Sequence, residues 1–481
     1  MDDNQLHTIT KLLSDCADIV YKPQWIYGRH GTLIYISSIT DSLAIQEYIV
    51  PSLQGGAQPG ATWADFKAEL SAGTAVPVPY TQVSTPEEAV ECIVLGQAVL
   101  CIEGHPVFYC FEVTQYKKRS VTESQHEMVI VGPQEAFIED IDSNLSLLRH
   151  KLKHPALKVK KMMIGKFTKS TTCVIYIEGL ADKEMVEDIE RKLKAISVDG
   201  VFGASYLAEY LQDNLSMFPL FHYTERPDAV AASLLEGRVG IMLEGNPSVL
   251  VVPMTMFSLL QSSEDYYQNY YSASWIRIVR FLFAMIALLM PSLYIAITTF
   301  HPQIIPSNLL ITIASARENI PFSALIEGFV MELTFEALRE AGTRIPKPIG
   351  QTVSIIGGIV IGQAAVQAGI VSAPMVIVVS ITGIASYIIP HLELGLAFRL
   401  LRFPLMILGG TMGLIGVIIG SFLIYAHMAS LKSYNKPYLE PLAPLVLSEW
   451  KDTFFRFPFP LGNMRTGSFV NRRGRKGKKH P

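Results

Sequence analysis

Residues 303–351 read QIIPSNLLITIASARENIPFSALIEGFVMELTFEALREAGTRIPKPIGQ. The stretch lies between apolar runs, Phe281 to Phe300 and Ile349 to Pro390, that carry no formal charge. Yet it holds Arg317, Glu318, Glu327, Glu332, Glu336, Arg339, Glu340, Arg344 and Lys347, with four prolines. Charge at membrane depth is costly and faces a bundle interior or a water-filled path. At about 100° per residue from Pro321, Glu332, Glu336 and Glu340 form one stripe, with Arg339 beside it. Ile326, Val330, Leu333 and Ala337 lie on another face, and Glu327 falls among the apolar positions. Two readings fit. One is an interfacial amphipathic helix with its stripe in headgroups or water. The other is a helix lining an aqueous path, in which oligomer symmetry turns each glutamate into a cation-attracting ring. The candidate ion path is Glu327, Glu332, Glu336, Glu340 and Arg339.

Outward from this stretch, the chain reads as membrane. Phe281–Phe300 is twenty uncharged residues, enough to cross a bilayer. Trp275, Arg277 and Arg280 precede it as an aromatic and positive anchor. Ile349–Pro390 is 42 uncharged residues, enough for two crossings turning at Gly369–Pro374, and Phe403–Ala426 makes another. Gly357, Gly358 and Gly362 let helices approach, and Gln363 and Gln367 ask for partners across an interface. The run from Gly409 to Gly420 repeats that signal. The expectation is an α-helical polytopic membrane domain over 275–428, with four or five spans and a broken re-entrant element at 303–341. A cytoplasmic tail with a basic end follows (429–481). The count is awkward. Four crossings keep the basic tail inside but put Arg399 and Arg402 outside; a fifth, through Pro321–Ala341, reverses both.

The front half is different in kind. STPEEAVECIVLGQAVLCIEGHPVFY (from Ser84) aligns with ERPDAVAASLLEGRVGIMLEGNPSVL (from Glu225). Pro86 falls on Pro227, Gly96 on Gly237, Glu103 on Glu244 and Pro106 on Pro247. The same offset sets Ile34-Tyr35-Ile36 on Ile175-Tyr176-Ile177. The soluble region is therefore α/β and made of two tandem duplicated subdomains, 1–120 and 166–265. An acidic and basic connecting segment (121–165) joins them. Each copy reads strand, helix, a second helix behind Pro86 or Pro227, then a hairpin. Glu139, Asp140 and Asp142 precede an amphipathic helix and suit its N-terminus. Lys158, Lys160 and Lys161 read as a solvated face. Five cysteines in the front half, an odd number at no zinc spacing, read as reduced buried thiols. Hydrophobic residues make up 49% and charged ones 17%, which again favours a membrane portion. There is no apolar leader at Met1–Thr10. No Ser/His/Asp, HExxH or phosphate-loop motif is present, so no catalytic residue, metal ligand or cofactor is assigned and an enzyme is not expected.

GPQEAFIEDIDSNLSLLRHKL, TERPDAV, GRVGIMLEGNPSVLVVP, SSEDYY, SARENIPF, LREAGTRIPKPIGQTVSIIGGIVIGQAAVQAG and LRFPLM together resemble the A subunit of GerA-type spore germinant receptors. The likeness runs from about Gly132 to Met428. It implies a multi-pass protein of the inner spore membrane, its N-terminal domain cytoplasmic. It also implies a B-type transporter-like subunit and a C-type lipoprotein subunit as partners, and homo-oligomers. Nutrient sensing would then start germination with release of cations. The coupling positions carried over are Glu139, Asp140, Asp142, Arg317, Glu318 and Asn319. Membrane lipid is an expected partner and nucleic acid is not. The alternative is a structural transducer that couples the ligand-binding partner to other channels and conducts nothing itself.

Overall fold

The computed structural model describes residues 3–54, 63–115, 127, 131–212, 216–344 and 360–458. These fall into two compact units, one up to residue 212 with 221–253, the other 216–220 with 254–458.

The first unit contains two five-stranded sheets. Strands β1 (Ile19–Ile26), β2 (Arg29–Ile36), β3 (Tyr80–Val83), β4 (Ala98–Ile102) and β5 (Phe108–Phe111) pair antiparallel in the order β1-β2-β4-β5-β3. Strands β6 (Leu157–Ile164), β7 (Ser170–Ile177), β8 (His222–Thr224), β9 (Val239–Leu243) and β10 (Val249–Val252) repeat it as β6-β7-β9-β10-β8. The helices of the first copy are α1 (Asp3–Leu12), a helical run at 42–53, α2 (Trp63–Ala72) and α3 (Pro86–Val94). After α4 (Ile141–Lys151) the second copy supplies α5 (Lys183–Ala195), α6 (Ala204–Leu211) and α7 (Pro227–Leu235). Counterparts start at one spacing: Arg29 and Ser170, Trp63 and Ala204, Pro86 and Pro227, Ala98 and Val239. The duplication is thus a duplication of fold.

Strands β4 and β9 are apolar at every position because both faces of each sheet are covered. In the first copy Leu33, Tyr35, Leu100 and Ile102 pack with Phe66 and Leu70 on one face. Ile34, Ile36, Val99 and Cys101 pack with Ile9, Leu13, Val90 and Ile93 on the other. Start signals lie where the sequence puts them. Thr85 caps α3 by accepting from Glu88 N (3.3 Å), and Asp182 caps α5 by accepting from Glu184 N (3.1 Å).

The boundary at 121–165 differs from expectation. Residues 157–164 are not connector but the edge strand β6. Lys158 is buried together with both its neighbours, donates to the Leu12 carbonyl at 3.0 Å and meets Glu178 at 3.3 Å. The lysines therefore do not form one solvated face; of the three only Lys161 is exposed. The chain before β1 pairs with β6 through a parallel bridge, Cys16 to Val159, with Ala17 N to Val159 O at 2.8 Å.

The second unit is helical. Tyr270–Phe300 (α8) and Leu392–Ser430 are long and apolar enough to cross a membrane. Between them lie α9 (Ser307–Arg317), α10 (Ala324–Arg344), a helical stretch at 360–367, and α11 (Ala373–Ile388). Leu392–Ser430 is not one rod. Gly413 is non-helical, with φ +65°. Beyond it the chain doubles back: a Cβ on Gly420 would meet Leu405, and one on Gly416 would fall on the Leu408 carbonyl oxygen. Residues 392–412 (α12) and 414–430 (α13) are therefore arms of a helical hairpin. The single straight crossing expected at Phe403–Ala426 does not exist. Residues 431–458, read as tail, fold onto this unit, with Tyr438 fully buried and its carbonyl accepting from Met256 N at 2.9 Å.

Candidate functional site

The charged stretch that stands out in the sequence becomes a ladder of ion pairs along α10. This helix runs antiparallel to α12: Gly328 lies by Met406, Glu332 by Arg402 and Glu336 by Arg399. At its first turn Glu327 is buried. One carboxylate oxygen faces Arg317 Nε at 3.2 Å, and the other accepts from Ser372 N at 2.8 Å, at the start of α11. A carboxylate at a helix N-terminus satisfies an orphan donor and faces the positive end of the dipole. The glutamate that breaks the apolar face of α10 is thus the one that ties α9, α10 and α11 together.

One and a half turns on, Glu332 pairs with Arg402, both buried. Arg402 also donates from Nη2 to Ser386 Oγ (3.0 Å) and from Nε to the Ala287 carbonyl (2.8 Å). That carbonyl needs a donor for a local reason. In a helix it would accept from residue 291, and residue 291 is proline, which has no N–H. The guanidinium supplies the missing bond and joins α8, α10, α11 and α12 through one side chain. Glu332 Oε1 has no partner among the described residues.

Glu336 is half-buried between Arg399 (3.1 Å) and Arg339 (3.4 Å), and Arg339 lies 4.8 Å over the Tyr387 ring. Glu340 is exposed at the end of the ladder. The five candidate ion-path residues therefore stand along one helix, and Glu327, Glu332 and Glu336 each have an arginine partner within the chain.

The coupling positions separate into two places. In the first unit Asp140 caps α4, accepting from Ser143 N at 3.0 Å and from its hydroxyl. Asn144 brackets Ile138, accepting from its N–H at 2.8 Å and donating to its carbonyl at 2.6 Å. The Glu139 carbonyl accepts from Gly245 N at 2.9 Å. Asp142 lies in the first turn of α4. The capped helix ends with Arg149, which makes two 2.9 Å bonds to Asp18 in the first copy. In the second unit Arg317 reaches Glu327, and Glu318 and Asn319 form the turn after α9. Of the packing residues, Gly362 is buried, and a Cβ there would lie 3.2 Å from Val376, whereas Gln363 and Gln367 are exposed. Gly357 and Gly358 lie outside the described residues.

Sequence reasoning missed one cluster. Arg277 and Arg280, expected as lipid anchors, are buried. Arg280 grips Asp265 through both terminal nitrogens (2.9 and 3.0 Å), and Arg277 Nε bonds the same carboxylate at 3.0 Å. Arg277 also reaches Asp452 at 3.2 Å, which the Tyr266 hydroxyl meets at 3.2 Å. The signal was the acid-aromatic run SSEDYY, twelve residues ahead of Arg277, which supplies Asp265 and Tyr266.

Comparison with known proteins supplies the family. The chain is 40% identical over 98% of its length to YfkQ, described as a membrane protein of Bacillus subtilis (strain 168), covering 92% of that protein. It is 39% identical over 95% of its length to spore germination protein A1 of the same organism, covering 93% of it. The crystal structure of the N-terminal domain of the A subunit of the Bacillus megaterium spore germinant receptor GerK3 matches 52% of this chain and 92% of that one. That match has 27% identity and a TM-score of 0.39. A family model, Bacillus/Clostridium GerA spore germination protein, matches residues 7–467. With that match and these relatives, the chain belongs to the GerA family of spore germination proteins.

Proposed function

We propose that this chain is the membrane subunit of a nutrient receptor that triggers spore germination, and that it oligomerises to form or gate a cation-conducting path. The observation that carries the reading is the glutamate ladder of α10, set among apolar helices in a chain of a germination family. Around a symmetry axis, Glu336 and Glu340, the less buried steps, would line a water-filled centre.

The reversal at Gly413 supports a six-pass topology. Pairing places Phe300, Asn319 and Gly413 at one end of the helical unit, and Arg339, Arg399 and the start of α8 at the other. The chain then ascends in α8, descends in α10, returns before Gly369, descends in α11, ascends in α12 and descends in α13. Arg339, Arg344, Arg399 and the residues up to 458, from which the basic tail continues, fall on one side, which suits the cytoplasm. The protein then sits in the inner spore membrane with its N-terminal domain cytoplasmic. It works beside a transporter-like B subunit that binds the nutrient and a lipoprotein C subunit.

One observation favours the second reading, a non-conducting transducer: Glu327, Glu332 and Glu336 have their charge balanced by arginine inside a single chain. Spores carrying Glu336→Gln with Glu340→Gln separate the two. At normal protein levels, a several-fold change in the rate of monovalent cation release supports the path. Unchanged release, with response lost only in Asp140→Ala, supports the transducer.

A further inference from the structure

Where the tandem copies differ at matching positions, their shared fold does not require the difference. On α2, Phe66 and Leu70 face the core, and on α6 Leu207 and Leu211 do so at the same positions. The outward neighbours do not match. Asp65 and Glu69 of α2 correspond to Tyr206 and Tyr210 of α6, all four exposed. The hairpins beside these helices differ as well. Tyr27 and Gly28 alone join β1 to β2, whereas Gly165 to Lys169 join β6 to β7, and the longer loop carries Phe167.

In the second copy these differences converge on one surface. Phe167 N donates to the Asp199 carbonyl at 2.8 Å, and Thr168 Oγ1 accepts from Val201 N at 3.3 Å, which holds the loop against the chain entering α6. Phe202 lies in that entry, its ring 3.2 Å from where a Cβ on Gly200 would stand. Tyr206 is in the first turn of the helix and Tyr210 one turn on. Phe167 is 83%, Phe202 77%, Tyr206 46% and Tyr210 51% exposed. Aromatic side chains bury about 150–250 Å² each, so these exposures leave on the order of 500 Å² open. A patch of that size marks an interaction site. It is about the apolar core of an interface that covers roughly 800 Å² on each partner.

We propose that this surface is a contact between molecules of the same chain, the α6 face of one docking on the α2 face of its neighbour. The inference rests on the reading that the chain oligomerises, and it names the partner surfaces. Rings close through head-to-tail contacts, which need two different faces that fit one another. The duplicated fold supplies two versions of one face. Against the rings of α6, α2 offers Ala64, Ala68 and Ala72, exposed at helical spacing and flanked by the carboxylates of Asp65 and Glu69. Alanines leave room for rings, and tyrosine hydroxyls can donate to carboxylates. Lys166 and Lys169, exposed on either side of Phe167, carry the charge opposite to that of Asp65 and Glu69.

The test uses the full chain in detergent, a short bismaleimide, and the unsubstituted chain as background. Ala68→Cys and Ser205→Cys place small thiols in the two faces at exposed positions. A chain carrying both is expected to give linked dimers, trimers and larger species several-fold above background, and each single variant to stay at background. Adding Phe202→Ser with Tyr206→Ser should cut the linked product on the order of tenfold and leave thermal unfolding unchanged, since both side chains are exposed. Linking that survives those two substitutions would overturn the proposal. Self-linking of Ser205→Cys alone would overturn it too, because the face would then meet its own copy in a symmetric pair. Native mass of the same sample separates this contact from the reading beneath it. Oligomers without linking overturn the contact, as for a face that takes a bilayer or a different protein, and leave oligomerisation standing. Monomers overturn oligomerisation and the contact with it.

Discussion

Arg402 shows how one side chain can be required by a residue far from it in sequence. Pro291 strips the Ala287 carbonyl of its helical donor, and Arg402 supplies one while neutralising Glu332. Arg402→Met leaves a buried carboxylate and a buried carbonyl without partners. The expected cost is about 3–5 kcal/mol, read by thermal unfolding in detergent. Pro291→Ala restores the missing N–H, so in a double-mutant cycle it should lower that cost by about 1 kcal/mol. Additive effects would mean that the proline and the arginine are unrelated. In the first unit, burial holds the His105 imidazole below its ordinary range, and its Nδ1 accepts from Val107 N at 3.3 Å. A base depressed in the folded state binds its proton less readily than in the unfolded chain. Its contribution is complete above about pH 6.5 and falls away as pH drops through the folded value. Fluorescence of Trp63, whose ring lies 5.8 Å from His105, should report lower stability at pH 5 than at pH 7.5. In His105→Phe that part of the slope should disappear. Burial also pushes the Cys173 thiol up to about 12, so at neutral pH it is an unreactive core residue, as its surroundings in the sequence suggested.

At the scale of elements, the tandem copies and the hairpin of α12 and α13 differ in how openly the sequence states them. The duplication is legible because strand starts, prolines and turn glycines keep one spacing. The edge strands β1 and β6 are not, because Lys22, Pro23 and Gln24 in one and three lysines in the other hide a β pattern that only pairing to a neighbour completes. The glycines from Gly409 to Gly420 are legible as a packing signal. Their change of direction is not, since a single left-handed glycine among apolar residues leaves hydropathy unbroken. Gly416→Val places methyl groups on the Leu408 carbonyl, and Gly413→Val puts a β-branched residue at positive φ. Either is expected to destabilise the helical unit by more than about 2 kcal/mol. Gly362→Ala, where the neighbour is a single valine methyl, should cost less than either. The N-cap at Asp140 belongs at this scale too: Asp140→Ala should cost about 1 kcal/mol and loosen α4, and with it the Arg149–Asp18 link between the copies.

For the whole molecule, the reversal changes a count and so an orientation. Summing apolar runs gives four or five crossings and strands either the basic tail or Arg399 and Arg402 on the wrong side. The proposed six passes put Arg399 and the residues up to 458, from which the basic tail continues, on one side. In intact cells, Ser307→Cys and Lys451→Cys should therefore label oppositely with a membrane-impermeant thiol reagent, the first reacting from outside and the second only after permeabilisation. Labelling of both from one side would end the six-pass reading. The ladder on α10 was visible as a stripe of glutamates, but two of its arginine partners lie 63 and 70 residues away in α12, and no local pattern announces pairs at that distance.

The hairpin also bears on how the protein is made. At 1.5 Å per residue, the 17 residues of 414–430 reach roughly 26 Å, short of a hydrocarbon layer of about 30 Å. The arm before it carries Arg399 and Arg402, whose charges find partners only once α10 is in place. Neither arm is a good insertion signal by itself. On the proposed topology, the pair would be held at the translocation machinery until residue 430 has emerged, and enter the lipid together against helices already seated. The last membrane step on that reading is the docking of a preformed hairpin.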